Sequence, residues 1–149
     1  MRRKTGFTMI ELLIVISIIA ILAAAIIPNF IGFDTEARVA ATKSNLDTLR
    51  TRITLYRAKE GGYPASLDDL LTHSYSDAGV QKPYLQKMPP ELVSSKKGSN
   101  ATRVQRSDDP LTSEGGWVYK TDSAEVAVNA DQPLDKAWGD YAEQRPSQW

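Results

Sequence analysis

The chain has 149 residues, no cysteine, and 18 acidic residues against 18 basic ones. The lack of cysteine excludes a domain held together by disulfides, and the balanced charge does not favour a nucleic-acid partner. Roughly 30 residues belong to an apolar N-terminal region, so about 115 remain, which is enough for one folded domain but not for two.

The N-terminus joins a basic leader to a long apolar segment. Residues 2–4 are basic, and residues 12–27 contain one polar side chain, that of Ser17. A helix over residues 7–28 would be about 31 Å long, which matches one hydrocarbon core of a membrane. The leading basic residues predict that the bulk of the chain lies outside the cytoplasm.

Glu11 is the exception in this segment. A carboxylate in a membrane-spanning helix costs roughly 2.5–3.5 kcal/mol, so it is normally retained for a partner or a task. The alternatives are a plain membrane anchor and an ordinary secretory signal peptide cleaved near residues 23–25, which are all alanine. We disfavour the signal peptide because the apolar run is longer than usual and a carboxylate would only weaken it.

The run Gly6-Phe7-Thr8-Met9-Ile10-Glu11, behind its basic leader, resembles the class III signal of type IV pilins and type II secretion pseudopilins. The resemblance implies that a prepilin peptidase cuts between Gly6 and Phe7 and that the new amine of Phe7 is N-methylated. Glu11 would become the fifth residue of the mature chain and pair with the N-terminal amine of a neighbouring subunit. Removing three of the 18 basic residues would leave 15 against 18 acidic ones, a net charge of −3.

The resemblance also implies partners and a location. Family members polymerise with copies of themselves through their N-terminal helices, together with minor pilins or pseudopilins. An inner-membrane assembly platform and an ATPase extrude the filament. The subunit would first span the lipid of the bacterial inner membrane once, with its C-terminal domain in the periplasm, and then enter a periplasmic or cell-surface filament. No nucleic-acid partner is expected.

The residue patterns of common enzymes are missing from the sequence. It has no cysteine nucleophile and no Gly-x-Ser-x-Gly elbow, and its single histidine, His73, lies in a polar stretch. We therefore expect a protein that is not an enzyme.

A second helix is predicted after the membrane segment. Pro28 predicts a kink, because an interior proline removes one helix hydrogen bond. An amphipathic helix is predicted for residues 29–60, ended by the glycine pair 61–62. Its apolar side chains recur on one face at Val39, Leu46, Leu49, Ile53 and Tyr56. We expect this stripe to pack on the chain's own domain, and a coiled coil is the alternative.

Residues 61–149 are predicted to form a C-terminal globular region. Ser66 with Asp69 makes a pattern like a capping box, which predicts a short helix whose apolar side chains are Leu67, Leu70 and Leu71. Residues 63–67 (Tyr-Pro-Ala-Ser-Leu) and 84–89 (Tyr-Leu-Gln-Lys-Met-Pro) resemble the connecting region of the major pseudopilins. This second resemblance favours a secretion pseudopilus. A type IV pilus major pilin for adhesion or motility, and a minor pilin acting as a binding module, are the alternatives.

The end of the chain is predicted to supply a small sheet. The polar residues between 89 and 115 are predicted to form an exposed, variable loop. Residues 117–119 and 125–128 predict two antiparallel strands with a turn at 121–123, and a third strand would help because an isolated hairpin is marginal. Aromatic side chains are expected to cover the sheet edge at Trp138, Tyr141 and Trp149. The predicted fold class is α+β and pilin-like: a long N-terminal helix packed on a small antiparallel β-sheet.

Three carboxylates near the end raise the question of a metal. Major pseudopilins share a C-terminal calcium loop with an acidic, glycine-rich run, and Asp131, Asp135 and Asp140 offer the oxygen ligands that calcium prefers. The glycine-rich run is missing here, and Pro133 and Lys136 interrupt the acids. We expect solvated surface charge and no cofactor, with a calcium site at these three residues as the alternative.

Overall fold

A computed structural model describes residues 7–26, 33–94 and 98–149. The chain divides into two compact units, Met1–Asp34 and Thr35–Trp149. The leader with Gly6, and the kink predicted at Pro28, lie outside the described residues.

The first unit contains helix α1, Met9–Ile26. None of its residues is buried, and it is long and apolar enough to cross a membrane by length and composition. A helix that is apolar on every side requires an apolar environment around it. The described residues bury no part of α1.

Helix α2, Phe33–Glu60, behaves as the periodicity predicts. Its apolar stripe is buried in the core of the second unit at Val39, Leu46, Leu49 and Ile53, and Tyr56 is partly buried. The helix ends where a left-handed residue is available: Gly61 has φ +80° and donates its N–H to the carbonyl of Arg57 at 3.0 Å. The stripe therefore packs on the chain's own domain, as expected.

The short helix after α2 begins later than the capping pattern predicts. Helix α3 spans Asp69–Thr72, and its N-cap is Asp68, which makes no side-chain cap bond. The reverse half of the predicted box is nevertheless present, because the Asp69 carboxylate accepts the N–H groups of Ala65 at 2.7 Å and Ser66 at 2.9 Å. Of the three predicted apolar side chains, Leu67 and Leu70 are buried and Leu71 is partly buried.

A hairpin that the sequence pattern did not predict follows α3. Strands β1 (Ser74–Asp77) and β2 (Val80–Pro83) pair antiparallel. The two residues between them, Ala78 and Gly79, both have positive φ, at 51° and 83°. Such a pair gives the two-residue turn whose twist suits adjacent antiparallel strands. The strands themselves are mostly polar and exposed, so they lack the apolar alternation that reveals a strand in a sequence.

The main sheet has the strand order β3-β4-β5, formed by Thr102–Gln105, Trp117–Lys120 and Glu125–Val128. The predicted antiparallel pair β4-β5 is confirmed, with Trp117 opposite Val128. The sheet is mixed and not antiparallel throughout, because the third strand, β3, pairs parallel with β4. Parallel pairing needs a long return connection, and residues 106–116 supply it.

The expectation of an exposed loop between residues 89 and 115 is wrong near the start of that stretch. Glu91, Val93 and Ser94 are buried. The Glu91 carboxylate accepts the N–H of Val93, the N–H and hydroxyl of Ser94, and the N–H of Gly116 at 3.2 Å. A buried carboxylate is tolerable when donors surround it, so this polar residue fixes the loop to the beginning of β4.

The core of the second unit lies between α2 and the main sheet. Trp117 and Tyr119 on β4 are fully buried in it, and the indole of Trp117 donates to the carbonyl of Pro89 at 2.7 Å. The chain ends in two 3₁₀ segments, Lys136–Tyr141 and Pro146–Gln148. The aromatic side chains near the end of the chain pack partly buried against the core, as expected. They are Trp138, Tyr141 and Trp149.

Candidate functional site

The first turn of α1 is built around Glu11. Its Oε2 accepts the backbone N–H and the hydroxyl of Thr8, both at 2.8 Å, and the N–H of Glu11 points back to the Thr8 hydroxyl at 3.3 Å. This reciprocal pattern is a capping box, with Thr8 just before the helix and Glu11 at its third position. The carboxylate therefore has a structural role at the start of the helix, where the helix dipole also favours a negative charge.

The two hydrogen bonds from Thr8 leave part of the carboxylate available. Both bonds reach Oε2, and no described residue donates to Oε1. Phe7 lies at the same end of the helix and is 82% exposed. The structure thus combines a fixed carboxylate, an open acceptor oxygen and an exposed N-terminal neighbour in one short segment.

Thr8 is the residue of this site that the sequence reasoning did not assign. The signal was readable, because Thr8-Met9-Ile10-Glu11 has the Ser/Thr-x-x-Glu spacing of a capping box before an apolar run. The same carboxylate that is costly in lipid thus also stabilises the start of the helix.

The rest of α1 presents a uniform apolar surface. Large side chains from Met9 to Ile26 are about half exposed or more. Ser17, the one polar residue of its middle, donates its hydroxyl to the carbonyl of Leu13 at 2.7 Å and so needs no external partner. Glu11 is therefore the polar group of α1 that can distinguish one neighbouring helix from another.

Comparison with known proteins shows what this arrangement is similar to. The sequence profile described as the prokaryotic N-terminal methylation motif matches residues 1–27. Type II secretion system core protein G of Vibrio cholerae is 27% identical over 128 residues, which cover 86% of this chain and 80% of that protein. The chain is therefore similar to a type II secretion core protein and carries an N-terminal methylation motif.

Other known proteins match smaller parts of the chain. Type II secretion system core protein G of Pseudomonas aeruginosa is 27% identical over 95 residues, 59% of this chain and 67% of that protein. Type IV major pilin protein PilA of Myxococcus xanthus is 53% identical over 49 residues, 33% of this chain and 22% of that pilin. No solved structure matches the chain.

The structure also locates the three C-terminal carboxylates that the sequence analysis considered as calcium ligands. Asp131 accepts the hydroxyl of Ser147 at 3.0 Å, and its other carboxylate oxygen lies 3.3 Å from the guanidinium of Arg145. Arg145 also donates to the backbone carbonyl of Asp131 at 3.0 Å. Asp135 and Asp140 do not join Asp131 in a metal-binding group, since no three such side chains gather in the part of the chain that the structure describes. The calcium alternative remains a prediction.

Proposed function

We propose that this pseudopilin-like chain is a structural subunit of a filament, specifically of the pseudopilus of a type II secretion system. The observation that carries the proposal is the combination found in α1: an apolar helix with no buried residue that begins with a fixed carboxylate. Such a helix suits lipid before assembly and close contact with copies of itself afterwards. The match to core protein G over 86% of the chain supports the choice of secretion.

Assembly would proceed through the exposed end of α1. After a prepilin peptidase has cut between Gly6 and Phe7, the N-methylated amine of Phe7 carries a positive charge. The open Oε1 of Glu11 can accept a hydrogen bond from that amine of a neighbouring subunit, while Thr8 continues to donate to Oε2. An ion in an apolar bundle is tolerable when it meets an opposite charge, so this pairing would set the register of each added subunit.

The proposed location follows from the same helix. Before assembly, α1 spans the inner membrane once and the unit Thr35–Trp149 lies in the periplasm. An assembly platform and ATPase of that membrane would extract the subunit into the filament, beside minor pseudopilins. The proposed role is mechanical and structural, which the similarity to a secretion core protein and to a major pilin supports.

A surface type IV pilus is the second candidate. The 53% identity to PilA over 49 residues favours it, although that match spans about a fifth of the pilin's length. Deleting the gene distinguishes the two: loss of secreted folded proteins supports the pseudopilus, and loss of surface pili with normal secretion supports the pilus.

The test of the filament function replaces Glu11. Glu11→Leu should insert into the membrane at least as well as wild type, because a costly charge has left the lipid. Filaments in sheared fractions should nevertheless be lost, because the amine of the neighbouring subunit has no partner in an apolar bundle. The measurement is filament yield beside the amount of subunit in the membrane.

Two controls accompany this test. Ser17→Ala removes a polar group that is satisfied inside α1, so it should leave filament yield unchanged. Glu11→Asp keeps the charge with a shorter reach and should recover part of the yield. Mass spectrometry of the mature chain should find N-methylated Phe7 as the first residue in every variant. Normal filaments from Glu11→Leu, or a mature chain that starts after Ala25, would contradict the proposal.

A further inference from the structure

The second unit carries its charges unevenly. Residues 35–106 hold 12 basic and 7 acidic side chains, whereas residues 107–149 hold 3 basic and 9 acidic ones. A chain with no net charge therefore contains one basic half and one acidic half, and the two halves can attract each other between copies.

The basic half contains an open cleft of about 550 Å³ between α2 and the β1-β2 hairpin. Arg52, Lys82 and Lys87 line it. Lys82 is already paired with Asp77 at 2.6 Å. The side chains of Arg52 and Lys87 make no ion pair or hydrogen bond with any described residue, so their positive charges are available.

Tyrosine side chains form the floor of this cleft, which we call the basic cleft. Tyr84 is buried and donates its hydroxyl to Glu60 at 2.6 Å, and Tyr75 packs against it with ring centres 4.9 Å apart. The cleft is therefore rigid at its base and charged at its rim, which suits an acidic peptide segment.

The acidic half presents exposed carboxylates on the C-terminal segment. Asp140 and Glu143 are exposed, and their carboxylates accept no hydrogen bond from the described residues. The backbone around Glu143 is nevertheless fixed, because Glu143 donates to the carbonyl of Leu134 at 2.9 Å and Leu134 donates to that of Gln144 at 3.0 Å. The two carboxylates are thus exposed on an ordered segment between Leu134 and Gln144, which we call the acidic segment.

The two features lie on different sides of α2. The acidic segment reaches the side of Lys43 and Arg50: the Lys43 ammonium lies 5.3 Å from the ring of Tyr141, and Arg50 donates to the carbonyl of Trp149 at 2.5 Å. Arg52, in the basic cleft, follows Arg50 by two residues, which is about 200° around a helix. One copy cannot bring its own acidic segment into its own cleft without unfolding.

We propose that the basic cleft of one copy receives the acidic segment of the next copy, head to tail. The inference rests on the proposed filament function and names a second contact, outside α1, for the same polymer. A contact between two different faces repeats from copy to copy and forms an open filament when it does not close into a ring. Its charges would select the orientation and register of the incoming subunit, while α1 supplies most of the contact area.

The contact also predicts a stagger between neighbours. Along α2, the acidic segment lies at the level of Lys43 and the cleft at the level of Arg52. Nine residues of helix correspond to about 14 Å. Neighbouring subunits with parallel α2 helices should therefore be offset by a distance on the order of 14 Å along that axis.

Disulfide cross-linking tests the contact directly, because the chain has no cysteine of its own. Lys87→Cys and Glu143→Cys are introduced into separate full-length copies expressed together in the native host. Oxidation should link the two different copies, and the double variant should give a ladder of multimers. Lys87→Cys with Thr121→Cys, on the exposed β4-β5 turn, is the matched control and should give no ladder.

Charge reversal gives an independent measurement. Arg52→Glu with Lys87→Glu should reduce filament yield at least several-fold, and Asp140→Lys with Glu143→Lys should do the same. Combining all four changes should restore the yield, which a folding defect could not explain. High salt should weaken the wild-type cross-link, since exposed charge pairs are screened.

The outcomes separate this inference from the filament function. Wild-type filaments without a Lys87–Glu143 cross-link would overturn the inference and leave the function intact. No filaments and no cross-link in the secretion-competent host would count against both. Binding of a single-stranded oligonucleotide that is lost in Arg52→Glu with Lys87→Glu, without any cross-link, would assign the cleft to nucleic acid and overturn the inference.

Discussion

Helices α1 and α2 follow one another in the chain, yet they obtain their stability in opposite ways. In α2, one face is buried against the main sheet at positions such as Leu49, and the other face is solvated. In α1, every face is apolar and none is buried by the described residues. The difference shows that α2 is stabilised by its own domain, whereas the apolar surface of α1 is not covered by the described residues.

The comparison extends to the carboxylates of the two units. Glu11 in α1 uses one oxygen within its own helix turn and keeps the other open. Glu91 in the second unit is fully buried and has donors on both oxygens. Glu91, with hydrogen-bond donors on both oxygens inside its own domain, stabilises the fold. Glu11, with donors on one oxygen only, can accept a further hydrogen bond from another molecule.

The largest expected effect is a difference in stability between a mutation in α2 and a mutation in α1. Leu49→Ala should lower the free energy of unfolding of the second unit by about 3 kcal/mol, because it leaves a cavity in the core. Ile18→Ala in α1 should change it by less than about 0.5 kcal/mol. Tryptophan fluorescence of the full chain in detergent, during urea unfolding, measures this unit alone, because Trp117, Trp138 and Trp149 all belong to it. Equal losses of unfolding free energy in both variants would show that α1 and α2 do not differ in this way.

A smaller effect is expected at two glycines of the second unit. Gly116 has φ +83°, and a Cβ there would lie 2.3 Å from the carbonyl oxygen of Ala101, which accepts the N–H of Trp117 at the start of the β3-β4 pair. Gly61 has a similar φ of +80° with nothing within 4 Å. Gly61→Ala should cost about 1 kcal/mol for the conformation alone, and Gly116→Ala at least about 2 kcal/mol.

The same urea measurement checks the glycine pair. If both alanine variants lose the same stability, the close approach of β3 to β4 does not contribute, and the parallel pairing is looser than the structure describes.

The smallest expected effect depends on pH. Hydrogen bonds from the hydroxyl and N–H of Ser107 hold the pKa of Asp122 below its ordinary value of 3.8. The unfolded chain therefore binds this proton first as the pH falls, so the stabilisation is present above about pH 4 and lost as the pH falls through the folded-state pKa. The contribution is small because Asp122 is exposed.

Two variants isolate this contribution. Asp122→Asn and Ser107→Ala should each reduce stability slightly at pH 7, and this reduction should become smaller as the pH falls below about 4, in urea unfolding followed by fluorescence. A variant that loses more stability at low pH than at pH 7 would show that the predicted direction of the pH dependence is wrong.

Several elements could be predicted because their information is local. The apolar period of α2, the glycine pair that ends it and the aromatic and β-branched residues of β4 and β5 each lie within a few turns or one strand length. The candidate site could also be predicted from the sequence, since Glu11 is a carboxylate in an apolar run and Thr8 lies at the capping-box spacing from it.

The sequence by itself therefore determined α1, α2, the β4-β5 pair and the carboxylate near the start of α1, because periodicity and turn residues act over short distances. Only the tertiary structure decided that β3 pairs parallel with β4 and that Glu91 is buried, because both depend on residues brought together from distant positions. The basic cleft is of the same kind: Arg52 and Lys87 are 35 positions apart in sequence and become neighbours when the hairpin folds against α2.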